Sequence, residues 1–117
     1  MALTYLDWDR GNVLVLSLVG ELKLGDGTAL LRQLVADAIA LGKKKIVLNL
    51  GEVQYIDSSG LGELVAAHSR VSQAGGKMKL VNLRARAQEL VQSTRLFLLF
   101  ELYRDEDAAV RSFDTNS

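Results

Sequence analysis

One segment of the chain combines two acids, two serines and two glycines: Tyr55-Ile56-Asp57-Ser58-Ser59-Gly60-Leu61-Gly62-Glu63. It joins the end of a strand-like run to the start of a helix-like one. Gly60 and Gly62 let the backbone turn sharply and be approached closely. The unpaired N–H groups of a helix start favour an anion. A serine hydroxyl here is therefore exposed and sits where a phosphate is tolerated. The same residues also suit a plain serine N-cap. Three enzyme chemistries can be tested against the spacing. A Ser-His-Asp hydrolase fails because the single histidine, His68, lies ten residues beyond Ser58 on the same helix, about 15 Å along its axis. The G-x-S-x-G elbow is missing as well. Dinucleotide binding fails because Val65 stands where the third glycine belongs, and the next strand ends in Asn82-Leu83 rather than an acid. The third, a phosphate-binding P-loop, fails because no G-x-x-x-x-G-K-[ST] occurs in the 117 residues.

Composition narrows the field further. Fourteen Lys and Arg balance fourteen Asp and Glu, so the basic field that general nucleic-acid binding requires is missing. There is no cysteine, which excludes disulfides, thiol catalysis and thiolate metal sites. One histidine leaves no His cluster for a metal. Residues 1–10 carry Asp7 and Asp9 and no basic start, unlike a signal peptide. The apolar runs Val13–Val19 and Leu96–Phe100 fall far short of the roughly 20 residues that span a bilayer. These features predict a soluble cytoplasmic protein without membrane or nucleic-acid partners. At this length one domain is expected, ordered over about 3–113, with a polar tail at 114–117.

The elements that must position the segment follow from hydrophobic spacing. Leu3–Trp8 and Val13–Val19 read as a hairpin around the turn Asp9-Arg10-Gly11-Asn12. The second strand is apolar on both faces (Val13, Val15 and Val19 against Leu14, Leu16 and Leu18), so it belongs inside a sheet. Leu31, Leu34, Val35, Ala38 and Ile39 fall at helical spacing over Thr28–Leu41, with Gly42 as the C-terminal cap. Ile46–Leu50 reads as a short buried strand, followed by a second short strand or a loop at Gln54–Ile56. A helix over Ser59–Ala74 places Leu61, Leu64, Val65, His68 and Val71 on one stripe. Lys77–Leu83 reads as a strand, Arg84–Thr94 as a helix turning Ala87, Leu90 and Val91 inward, and Leu98–Leu102 as a last strand. Asp105 can cap a final short helix with Glu106 and Asp107 in its first turn. The order β-β-α-β-α-β-α-β-α predicts an α/β fold: a mixed sheet, opened by a hairpin and continued by β-α-β units, packed with about four helices.

With these elements in place, Asp57-Ser58-Ser59-Gly60-Leu61-Gly62 resembles the signature of the bacterial anti-sigma factor antagonists of the STAS domain family. Gly20-Glu21-Leu22, Ile46-Val47-Leu48-Asn49-Leu50 and Gln73-Ala74-Gly75-Gly76 fall where the family carries similar segments, and the likeness runs from about Leu3 to Phe113. The resemblance implies a switchable binding module and not an enzyme, with no cofactor and no metal. Its unphosphorylated form would bind an anti-sigma factor that is also a serine kinase, and so free a sigma factor. The kinase would then phosphorylate Ser58, and a serine phosphatase would reset the switch. Asp57 would shape the acceptor loop, with Ser59, Gly60, Leu61 and Gly62 on the partner surface. The chain departs from the family at Lys23, where many members carry Asp. Lys23 and Asp26 lie in the loop expected beside the phosphorylation face and join the partner-binding set. A STAS scaffold or transport-associated subunit that is not phosphorylated is the alternative.

The other conspicuous residues read as structure. His68 suits a half-buried packing position, Lys43-Lys44-Lys45 a solvated loop, and Arg84, Arg86 and Arg95, which flank one helix, solvated surface ahead of a partner contact. Trp8 and Tyr5 lie on opposite faces of a strand, so at most one is core. The two-faced Val13–Val19 strand suits either a dimer or a monomer with helices on both faces.

Overall fold

Period-two patterning and a two-residue turn start the fold. In the computed structural model, which describes residues 2–115, β1 (Thr4–Arg10) and β2 (Val13–Leu22) pair antiparallel, with Arg10 opposite Val13. Gly11 alone takes a positive φ in the turn, the pattern of a type II′ hairpin. The turn is thus Gly11-Asn12, and Asp9 and Arg10 belong to the strand rather than to the loop expected there. Next come α1 (Asp26–Ala40), β3 (Lys45–Ile56), α2 (Ser58–Gln73), β4 (Lys77–Val81), α3 (Ala85–Ser93), a 3-10 turn (Leu96–Leu98), β5 (Glu101–Tyr103) and α4 (Glu106–Thr115). The five strands form one sheet in chain order, and β2 to β5 run parallel. This is the single mixed α/β domain that the element order implied.

The two apolar faces of β2 meet different helices. Leu16 and Leu18 join Leu31, Val35, Leu64 and Val71 in a large core beneath α1, α2 and α3. Val13 and Val15 join Val47, Val81, Ala109 and Phe113 in a smaller core beneath α4. Full burial of each such aliphatic side chain stabilises the fold by about 1.5–3 kcal/mol. Helices on both faces therefore account for the two-sided strand without a second copy. Asp105 Oδ1 accepts the Ala108 N–H (2.8 Å) and caps α4 as its type and position foretold. Among the described residues, no helix is long and apolar enough to cross a membrane.

Several boundaries differ from the sequence reading, each for a physical reason. The segment from Lys45 to Ile56 is one strand, not a short strand plus a fragment. Its register against β2 shifts twice, and each shift adds a residue on β3. The buried residues Ile46, Leu48 and Leu50 keep period two, whereas Val53 and Ile56 follow at spacing three. The bulges return these side chains to the same face, so the pattern no longer looks like alternation. Helix α1 starts two residues early, at Asp26, because the Thr28 hydroxyl accepts the Gly25 N–H (3.2 Å) and closes its first turn. At its other end Gly42 and Lys43 bond back to Ile39 and Ala38, a Schellman closure one residue past the C-cap Leu41. The last strand is Glu101–Tyr103, because Leu96–Leu98 winds into the 3-10 turn. Tyr5 and Trp8 are both exposed, so neither is core. Strand β1 is exposed along almost its whole length, and Trp8 Nε1 donates to Glu106 of α4 (3.1 Å). Of the polar tail expected over 114–117, Asp114 and Thr115 belong to α4; positions 116 and 117 lie outside the described residues.

A lysine occupies a core position that no pattern announced. Lys79 on β4 is fully buried beneath α4. Its ammonium donates to Ser112 Oγ (2.6 Å), pairs with Glu101 (3.4 Å) and lies 4.1 Å from the centre of the Phe113 ring. Burial of a charge is tolerated only with such partners.

Candidate functional site

The site forms where β2 and β3 end and α1 and α2 begin. Two close approaches build it. A Cβ added at Gly27, in the first turn of α1, would meet the Glu21 carbonyl oxygen at 2.9 Å. One added at Gly60, in the first turn of α2, would meet the Leu22 carbonyl oxygen at 2.2 Å. Both helices thus lean on the same end of β2, and only glycine permits the contact. The loop Lys23–Gly25 is thereby brought against Asp57-Ser58-Ser59, more than thirty residues away in sequence.

Asp57 ties these loops together. It is the N-cap of α2, and its Oδ1 accepts the Gly60 N–H at 2.7 Å. Its Oδ2 accepts the Leu24 N–H at 3.1 Å, and its own N–H donates to the Leu22 carbonyl at 3.3 Å. The Gly60 N–H holds the Asp57 carboxyl below the usual aspartate range; partial burial opposes this, and the Leu24 and Ser59 N–H groups reinforce it. The cap is therefore Asp57, not a serine, and helix α2 begins at Ser58 rather than Ser59.

Ser58 is left exposed at the first helical position. Its hydroxyl has no hydrogen-bond partner among the described residues. It lies in the positive end of the helix dipole, where an added negative charge is welcome. Lys23, Leu24, Asp26 and Gly62 are exposed beside it in the two loops and first helical turns, and Asp57 and Ser59 are half-buried. Lys23 pairs with Glu21 at 3.4 Å. Gly60 and Leu61 are buried, so they shape this surface from beneath and present no side chain to it. The sequence-derived set is thus brought together, with that division between surface and support.

Two features escaped the sequence reading. Leu24 is 74% exposed and stands as an apolar projection next to the Asp57 hydrogen bond. Glu63 is buried one turn beyond the loop and binds Arg32 of α1 (2.8 Å) and Arg70 of α2 (2.9 Å). Burial pushes its carboxyl up, and the two arginines outweigh this and leave it below the usual glutamate range. This triad fixes α1 against α2. A glutamate two residues after the buried Leu61 was its only sequence signal. His68 is half-buried and meets the Phe100 ring edge-on (5.8 Å between centres), a packing position as expected.

Comparison with known proteins places this geometry in context. A family model of the STAS domain matches residues 9–109. The chain is 29% identical over 113 residues to the "Anti-sigma F factor antagonist" of Paenibacillus polymyxa, covering 96% of this chain and 95% of the relative. The crystal structure of an anti-sigma factor antagonist from Mycobacterium paratuberculosis superposes with a TM-score of 0.82 at 28% identity, over 95% of this chain and 93% of that one. The Bacillus cell fate determinant SpoIIAA, in its phosphorylated form, shares the fold with a TM-score of 0.71 at 22% identity, over 93% of this chain and 99% of that one.

Proposed function

Since the chain belongs to the STAS domain family, whose anti-sigma factor antagonists are binding modules and not enzymes, we propose that it is an anti-sigma factor antagonist switched by phosphorylation of Ser58. In this reading the unphosphorylated protein binds an anti-sigma factor that is also a serine kinase, and a sigma factor is released in the cytoplasm. The kinase modifies Ser58, and a serine phosphatase restores it. Lys23, Asp26, Asp57, Ser59 and Gly62 supply the contact surface, held in shape by Gly60 and Leu61. The observation that carries the proposal is the exposed Ser58 hydroxyl, without a hydrogen-bond partner among the described residues, directly after a fully engaged Asp57. The curated relative of P. polymyxa, matched over nearly its full length, bears the antagonist's name.

The charge arithmetic supports an on–off switch. A phosphate on Ser58 adds about −1.5 to −2 charges at neutral pH. At the start of α2 that charge is stabilised by about 0.3–1 kcal/mol, so the domain stays folded. Inside an interface the same group must be desolvated and repels any facing carboxylate. A penalty of about 3–4 kcal/mol there weakens binding by hundreds-fold.

The test incubates the purified protein in native lysate with ATP or ADP and reads captured partners and phosphosites by mass spectrometry. Capture of an anti-sigma kinase and phosphate on Ser58, lost in Ser58→Ala, is expected. The enzymatically phosphorylated protein should melt no lower than the unmodified one and should bind the kinase far more weakly in calorimetry. Phosphate on Ser59 alone, or unchanged affinity after modification, overturns the switch. Partner capture with no modification under any condition would favour the scaffold alternative.

A further inference from the structure

Away from Ser58, a second concavity opens at the ends of β4 and β5, with a volume of about 530 Å³. It lies outside the carboxyl ends of these two parallel strands, with Gly51 of β3 beside them. Its lining divides by chemistry. Arg84 and Arg104 supply two positive charges and Leu83 and Leu102 an apolar wall, and no carboxylate lines it; the ring of Tyr103, the next residue of β5, packs on the other face of the sheet over Lys79.

The floor is held by a polar network. Asn49 Oδ1 accepts the Gly51 N–H (2.9 Å) and the Asn82 amide Nδ2 (3.2 Å). The Gly51 carbonyl accepts Arg84 Nε (2.9 Å). Asn82 adopts a left-handed φ of 61°, and its N–H donates to the Tyr103 carbonyl (3.3 Å). Asparagine adopts that region readily, and here it turns the chain out of β4. The network uses only the Nε of Arg84 and leaves the terminal nitrogens of its guanidinium for a ligand. Arg104 is exposed and has no partner among the described residues.

We propose that this crevice binds a small phosphate monoester with an apolar body. Two guanidinium groups match the charge of a phosphate monoester, which approaches two at neutral pH. Each can grip phosphate oxygens through paired N–H donors. A monocarboxylate leaves one arginine unmatched. Leu83 and Leu102 receive the apolar part.

The probe is phenyl phosphate, titrated into the ¹⁵N-labelled protein at fixed ionic strength, with benzoate, phenol and inorganic phosphate as comparators. Phenyl phosphate should shift the amides of Asn82, Leu83, Arg84, Gln88 and Arg104 saturably. Each comparator should bind about tenfold or more weakly, as expected for the loss of one charge-assisted bond or of the apolar contact. Arg104→Gln should weaken phenyl phosphate by a similar factor and leave the melting temperature unchanged, because no fold contact is removed. Ser58→Ala should bind as the wild type does, which separates this site from the proposed switch. No saturable shift, equal binding by Arg104→Gln, equal binding of benzoate, or shifts centred on Asp57–Gly60 would each overturn the proposal.

Discussion

Gly60 and Gly62 lie two residues apart in one helix, yet alanine should act on them with opposite sign. A Cβ at Gly60 lies 2.2 Å from the Leu22 carbonyl oxygen and 3.0 Å from its carbon, where ordinary contact begins at 3.4 Å. The obstacle is backbone on both sides, so α2 and the end of β2 must separate by about an ångström. Overpacking of this kind costs about 1–3 kcal/mol. The displacement also stretches the Asp57 cap, and loss of a cap costs about 1 kcal/mol. Against this, alanine is favoured over glycine within a helix by about 1 kcal/mol. The net for Gly60→Ala is a destabilisation of about 1–3 kcal/mol. At Gly62 nothing lies within 4 Å of the added methyl and the residue is exposed. Only the propensity gain remains, and Gly62→Ala should stabilise by about 0.5–1 kcal/mol. Urea unfolding followed by circular dichroism measures both. The two midpoints should straddle that of the wild type, with unchanged slopes. Gly60→Ala as stable as wild type would show that α2 shifts freely on β2, and the account of how the site is assembled would fall. Gly62→Ala destabilised by more than 1 kcal/mol would point to a contact at Gly62 that the structure does not contain.

Asp57→Asn keeps an acceptor for the Gly60 N–H but turns an amide NH₂ towards the Leu24 N–H, and should cost about 1 kcal/mol at neutral pH. Because folding lowers the Asp57 pKa, its stabilisation is full above the ordinary aspartate range and is lost as pH falls through the folded value. The gap between wild type and Asp57→Asn should therefore close in acid, and a gap independent of pH would refute the ionised-cap assignment. Lys79→Met keeps the volume beneath α4, and Ser112 still donates to the Ala109 carbonyl (2.6 Å), so stability should stay within about 1 kcal/mol of wild type or rise. Lys79→Ala leaves a cavity and should cost about 2–5 kcal/mol. A methionine variant as unstable as the alanine one would mean that the ammonium's contacts, not its volume, hold α4.

Much of the site was legible because its signals are local. Asp105 precedes α4 and caps it as read, since an N-cap needs only a short acceptor three residues before the N–H it binds, whereas at α2 three adjacent candidates satisfied the same rule and the structure chose Asp57 over the serine. The apolar spacing of Leu31, Leu34, Val35 and Ala38 in α1, and the two-faced pattern of β2, gave the element types and the covered sheet. The exposure of a serine hydroxyl followed from its place between a strand end and a helix start. What was not legible depends on residues far apart in sequence. The unity of β3 rests on two bulges defined by pairing with β2, and within β3 alone they read as a broken pattern. Lys79 has no local signal, because its partners come from β5 and α4. Above all, the junction of Lys23–Gly25 with Asp57–Gly60, which only the family resemblance anticipated, is set by a helix turn pressed on a strand end, through Gly60 and Leu22. By itself the sequence determined the type of most helices and strands, where α4 is capped, and that a serine hydroxyl stands exposed at the start of α2, because turns, caps and periodicity are settled within a few residues. Only the tertiary structure decided which loops share the surface around Ser58 and which motif residues lie beneath it, because backbone contact and burial arise when distant elements close on one another.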